Sequence, residues 1–217
     1  MSFELSYIFT FSILVGGLLG IFRFNNIRQE FYPFIFLIWL ACINEVLGLF
    51  LVLSGHYNII NNNVYSLFEA LLLLWFFKRI GTIQRQRVLY PYLLSLIVLT
   101  WVADNFIFHY FGENFNSYFN IICSFTVVLL AISTINEILI SDDDILKNPV
   151  FLICAGIVIF FTYMILVEAF WISGPRISKN FRRKVFEILY WINFFCNLIY
   201  ALAILWMRKK QAFTLQF

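Results

Sequence analysis

With 217 residues, 62% of them hydrophobic and only 12% charged, the chain carries more apolar surface than a water-soluble core of this size can bury. The net charge of +3 comes from basic residues in short loops rather than along one face, which excludes a nucleic-acid-binding protein. The remaining class is an all-α integral membrane protein, in keeping with a mean hydropathy of +0.86.

Seven apolar runs follow one another, and each is about 17–25 residues long, the length of a tilted helix that crosses about 30 Å of hydrocarbon. They predict spans over residues 5–22, 32–53, 62–78, 89–109, 117–139, 149–173 and 184–207, forming a single seven-helix transmembrane domain over 1–217. The runs are continuous rather than alternating, which excludes an outer-membrane barrel.

The first span is preceded by Glu4 and no cation, and Arg23 and Arg28 follow it. That order is the reverse of a signal peptide's and predicts an outside N-terminus. Gly16 and Gly20 form a GxxxG pair, which predicts close approach of another helix within the bundle. Pro33, Pro91 and Pro149 open the second, fourth and sixth spans at equal intervals. Proline suits a first helical turn, where its missing N–H has no intrahelical acceptor. The interval predicts one leading helix followed by three hairpins of similar size.

Cations set the orientation. Arg23, Arg28, Lys78, Arg79, Arg85, Arg87, Lys147, Arg208, Lys209 and Lys210 fall on one side of the seven spans. Arg176, Lys179, Arg182, Arg183 and Lys184 fall on the other, in one loop. The N-terminus is therefore expected outside, and the C-terminus and the acidic run Asp142, Asp143 and Asp144 in the cytoplasm.

The third span, within NNNVYSLFEALLLLWFFKR, is the least ordinary. Glu69 stands in its outer third, with Tyr65 one turn away on the same face. A carboxylate at such a depth costs roughly 2.5–3.5 kcal/mol on insertion scales, so it needs an inward-facing partner or a proton. Glu45 and Glu69 are equally far in sequence from Tyr57, in the loop joining their helices, so antiparallel packing puts them at one depth. Asp104, Glu168 and Glu187 also fall in the outer half, whereas Glu137 sits at the inner end. Asn44, Asn105, Asn120, Tyr65 and Tyr190 lie at related depths. The expected site is an outward-facing cavity for a small polar or cationic ligand, formed by Asn44, Glu45, Tyr65, Glu69, Asp104, Glu168 and Glu187. Hydrogen bonds and ion pairs that only hold the bundle together would use the same groups.

The outer basic loop, with Arg176, Lys179, Arg182, Arg183 and Lys184, is expected to cap the acidic groups, bind anionic headgroups or remain solvated. His56 and His109 lack the HxxxH-type spacing of the seven-helix zinc hydrolases, so no metal and no cofactor is expected. Cys42, Cys123, Cys154 and Cys196 all lie in apolar runs and read as small packing residues.

The segments NNVYSLFEALLL, NPVFLICAGIVIFFTY and LYWINFFCNLIYALAI are similar to helices of short bacterial seven-helix membrane proteins, and only Tyr65 and Glu69 match a recurring pattern there. The layout more loosely resembles the seven-helix input regions of bacterial sensor histidine kinases, although this sequence stops soon after Lys210 without a kinase. The resemblance implies a multi-pass protein of the bacterial cytoplasmic membrane that works with a partner. The leading expectation is a non-enzymatic sensor or accessory subunit, in the lipid bilayer, that relays to a membrane or cytoplasmic protein partner. A small ion or solute transporter using the same carboxylates is the second reading, with Asn136, Glu137, Asn193 and Asn197 as the inner part of its route. An intramembrane metal-dependent hydrolase is the third.

Overall fold

The computed structural model of the chain describes residues 9–83, 88–108, 112, 114–141, 144–172 and 178–207. Its helices are α1 (Ile13–Arg23), α2 (Tyr32–Leu53), α3 (Ile59–Ile80), α4 (Leu89–Val102), α5 (Ser117–Ser141), α6 (Pro149–Ile172) and α7 (Lys179–Trp206), and the described residues contain no β-strand. Six helical stretches are long and apolar enough to cross a membrane, and the one containing α1, Ile13–Asn26, is shorter. Each helix packs on its sequence neighbour, and α1 closes the ring against α7. Arg23 fastens that closure by donating to the carbonyls of Leu205 and Met207, where a cation meets the exposed acceptors of a helix end. The prolines stand in the first turns of α2, α4 and α6, as their missing N–H allows.

Three elements differ from the sequence expectation. The first span was expected as one run over 5–22, but a turn at Phe11 and Ser12 separates the helical residues Phe9 and Thr10 from α1. There the Ser12 hydroxyl donates to the Phe9 carbonyl at 2.6 Å, a local bond that competes with the helical ladder. The fourth span continues past Val102 as a π-helical segment, Ala103–Phe108. The seventh helix starts at Lys179, so Arg182, Arg183 and Lys184 lie in its first turns and not in a loop. Ser178 caps it, its hydroxyl accepting from the Phe181 N–H at 3.3 Å. The cations there oppose the helix dipole, and Arg183 is offset by Glu187 one turn on, at 3.8 Å.

The glycines of α1 pack inside the bundle. A Cβ on Gly17 would meet the Cys42 sulfur at 2.7 Å, and one on Gly20 would meet the Trp39 indole nitrogen at 3.2 Å. Trp39 donates to the Gly17 carbonyl at 3.2 Å, a bond that such close helix approach permits. The four cysteines are free thiols, and Cys123, Cys154 and Cys196 are buried.

The apolar core occupies one end of the bundle, where α2 and α6 begin and α3 and α7 end. Phe34, Phe76, Phe77, Ile153 and Ile204 are fully buried there. Phe34 meets Phe76 at 5.8 Å and Phe76 meets Phe77 at 5.5 Å, within the range of favourable ring pairing. Beyond this core, toward the end where α3 and α7 begin, inward positions become polar and the packing opens.

Candidate functional site

A cavity of about 700 Å³ occupies that opposite end, and every labelled helix except α4 contributes to its wall. Close-packed interiors rarely leave voids larger than a water molecule, and this volume falls within the usual ligand-pocket range. Each wall is a stripe at helical spacing: Ala41, Glu45 and Gly48 on α2; Asn62, Tyr65, Ser66 and Glu69 on α3; Tyr190, Asn193, Asn197 and Tyr200 on α7.

Of the seven expected site residues, Asn44, Glu45, Tyr65, Glu69 and Glu168 line this cavity. Glu69 accepts from the Tyr65 hydroxyl at 2.9 Å, the i,i+4 contact read from the sequence. Glu168, buried near the end of α6, accepts from the Asn120 carboxamide of α5 at 2.9 Å. Asn44 accepts from Asn61 at 2.8 Å. Glu45 has neither a hydrogen bond nor an ion pair with any described residue. None of the described lining residues is Lys, Arg or His. The carboxyls with hydrogen bonds are therefore met by neutral donors, not by arginines reaching down from α7.

Asp104 and Glu187 stand elsewhere. Asp104 accepts from the Phe119 N–H at 2.8 Å, in the first turn of α5, where a carboxylate satisfies an orphan donor and the helix dipole together. Its π-helical segment also carries Asn105, which accepts from Asn63 at 3.0 Å and donates to the Trp101 carbonyl at 2.9 Å. Asn63 is the centre of this knot. Its amide nitrogen also donates to the Asn114 carbonyl at 2.9 Å, and its oxygen accepts from the Asn116 N–H at 3.3 Å. The knot ties α3, the π-helical segment and the start of α5 together beside the cavity. Glu187 pairs with Arg183 on its own helix.

Among the basic residues expected to cap the site, Arg176 lies outside the described residues, as does the side chain of Lys179. Arg182 flanks a small crevice with Val167 and Trp171, while Arg183 and Lys184 are exposed. His56 is exposed, and His109 lies outside the described residues. No three His, Cys, Asp or Glu side chains gather at a metal-binding distance among the described residues.

The sequence reading missed Ser124 and Tyr200. Tyr200 enters the wall because Gly156 lets its ring lie against α6: a Cβ there would stand 2.5 Å from the ring edge. The helical spacing of Tyr190, Asn193, Asn197 and Tyr200 was the available signal. Asn193 and Asn197, expected in an inner route, belong to the same cavity as Glu45 and Glu69. Glu137 and Asn136 are exposed on the outside of α5.

The six long apolar helices and their polar interior define a multi-pass α-helical membrane protein. No protein-family model matches the chain, and neither do any curated protein and any solved structure.

Proposed function

We propose that this protein is a non-enzymatic membrane receptor or accessory subunit, whose cavity binds a small ligand and whose helices relay that binding to a partner protein. In this reading all seven helices lie in the bacterial cytoplasmic membrane, with the N-terminus and the cavity outside and the C-terminus in the cytoplasm. The observation that carries it is a cavity of about 700 Å³ lined by Glu45, Glu69 and Glu168 that ends on a filled apolar core. Intramembrane carboxylates are expensive to keep, and a bundle that needed only cohesion would not surround them with empty volume.

The transporter reading requires polar groups continuing from Glu69 toward Glu137. Leu73, Leu74, Phe76 and Phe77 follow Glu69 on α3 as buried packing, and Glu137 is exposed. That arrangement favours binding over passage.

The test is reconstitution of the purified protein alone in lipid vesicles, beside mass spectrometry of small molecules retained through purification from native membranes. A stoichiometric retained ligand and no solute or ion flux is the expected result. Protein-dependent flux or substrate turnover in those vesicles would sink the proposal.

A further inference from the structure

The chemistry of the cavity narrows its ligand, on the premise that it is a binding cavity. Its charge balance comes first. Three carboxyl groups and no described basic side chain line the space, and the hydrogen bonds made by Glu69 and Glu168 come from a phenol and a carboxamide. Glu45 receives none. An occupant that brings N–H donors and positive charge supplies what the wall lacks; an anion would meet repulsion.

An independent observation is Ser124. This side chain is only 3% exposed, faces the cavity from α5, and has no hydrogen-bond partner among the described residues. Buried hydroxyls are ordinarily satisfied, as those of Ser66 and Thr134 are by carbonyls of their own helices, although the buried Ser117 hydroxyl also has no partner among the described residues. Ser124 instead lines the space one turn, about 6 Å of rise, deeper along α5 than Asn120, the partner of Glu168, and so nearer the level of Glu45 and Glu69.

The carboxyls stand at two levels. Glu168 is about 6 Å of helical rise from the end of α6 at Ile172, whereas Glu45 and Glu69 are about 12 and 15 Å from Leu53 and Ile59. A compact metal ion cannot span such levels, in keeping with the absence of a clustered ligand set among the described residues. Between them the wall presents Val167 and Met164, about 8 and 12 Å of rise from Ile172, a surface for a carbon chain, with Tyr65 and Tyr200 near Glu69.

We infer that the cavity binds a linear aliphatic diamine, one ammonium at the level of Glu45, Glu69 and Ser124 and the other at Glu168. A five-carbon diamine, with nitrogens about 7 Å apart when extended, matches the separation of the two levels.

The test is ligand-dependent thermal stabilisation of the full-length protein in detergent, with 1,5-diaminopentane, 1-aminopentane and 1,5-pentanediol as probes. These share a carbon chain and differ only at their ends. The diamine is expected to bind most tightly, the monoamine about tenfold more weakly, and the diol not at all. Glu168→Gln should make diamine and monoamine equivalent, Glu69→Gln should weaken both, and Glu137→Gln, outside the cavity, should change neither. Retained binding of 1-aminopentane by Glu168→Gln also shows that this variant is folded. Equal stabilisation by diol and diamine overturns the inference, as does no stabilisation by any of the three. If a different class of molecule is then found retained by the purified protein, the diamine falls while the binding cavity stands.

Discussion

The two ends of this bundle are built from the same helices and differ in what fills them. At one end α2 buries Phe34, Ile35, Leu37 and Ile38, α3 buries Leu73, Leu74, Phe76 and Phe77, and rings and branched chains occupy the centre. At the other, α2 buries only Gly48, and the inward positions of α3 are Asn63, Ser66 and half-buried Glu69. The contrast shows how a helix bundle in lipid makes room. Apolar side chains interdigitate to the density of a crystal, because every gap forfeits dispersion contacts. Polar side chains are held where their partners are, so they pair along the walls, as Tyr65 does with Glu69 and Asn120 with Glu168, and leave the centre open.

Truncating the filled end should cost most. Phe76→Ala removes a fully buried ring packed on two others and should lower unfolding stability by about 3–5 kcal/mol. Phe160→Ala, on the cavity wall, should cost clearly less, since one side of its ring already faces empty space. Reversible unfolding in mixed micelles measures both; equal losses would mean that the two ends are packed alike.

Next comes the Asn63 knot, which lies at the open end yet is closed. Asn63→Ala strands the Asn116 N–H and the Asn105 carboxamide in a buried place and should cost about 2–3 kcal/mol. Hydrogen exchange at the start of α5 should rise in this variant and remain unchanged in α2. Unchanged exchange there would show that the knot does not hold the cavity's edge.

The smallest effect belongs to the cavity itself. Tyr65→Phe deletes one hydrogen bond within α3, to Glu69, and should cost about 0.5–1.5 kcal/mol. Its effect on ligand binding should exceed its effect on stability. A loss as large as that of Phe76→Ala would make the polar pair a structural fastening instead.

Much of this was legible from residue order. Continuous apolar runs bounded by polar loops placed the helices, and α2 and α6 begin where proline allows a helix to begin. Tyr65 and Glu69 are one turn apart, so their contact needed no tertiary information. Asp104 was harder. From the sequence it was one more acid in the outer half; in the fold, a π-helical segment turns it toward the first turn of α5, where it serves as a cap. The boundary of α7 was misplaced because charge alone marked the residues from Lys179 to Lys184 as loop, although cations are good helix formers and Ser178 supplies a start.

By itself the sequence determined the solvent of this protein, its helical class and which helix faces are polar, because those follow from transfer free energy and a period of 3.6 residues. Only the tertiary structure decided which polar faces meet. Glu45, Glu168, Ser124 and Tyr200 come from four helices, and nothing local sets the rotation of one helix against another. That rotation is fixed where the glycines of α1 admit α2, where Gly156 admits Tyr200, and where the phenylalanines of the opposite end fit together. The hollow is the complement of that packing, and its position follows from contacts made outside it.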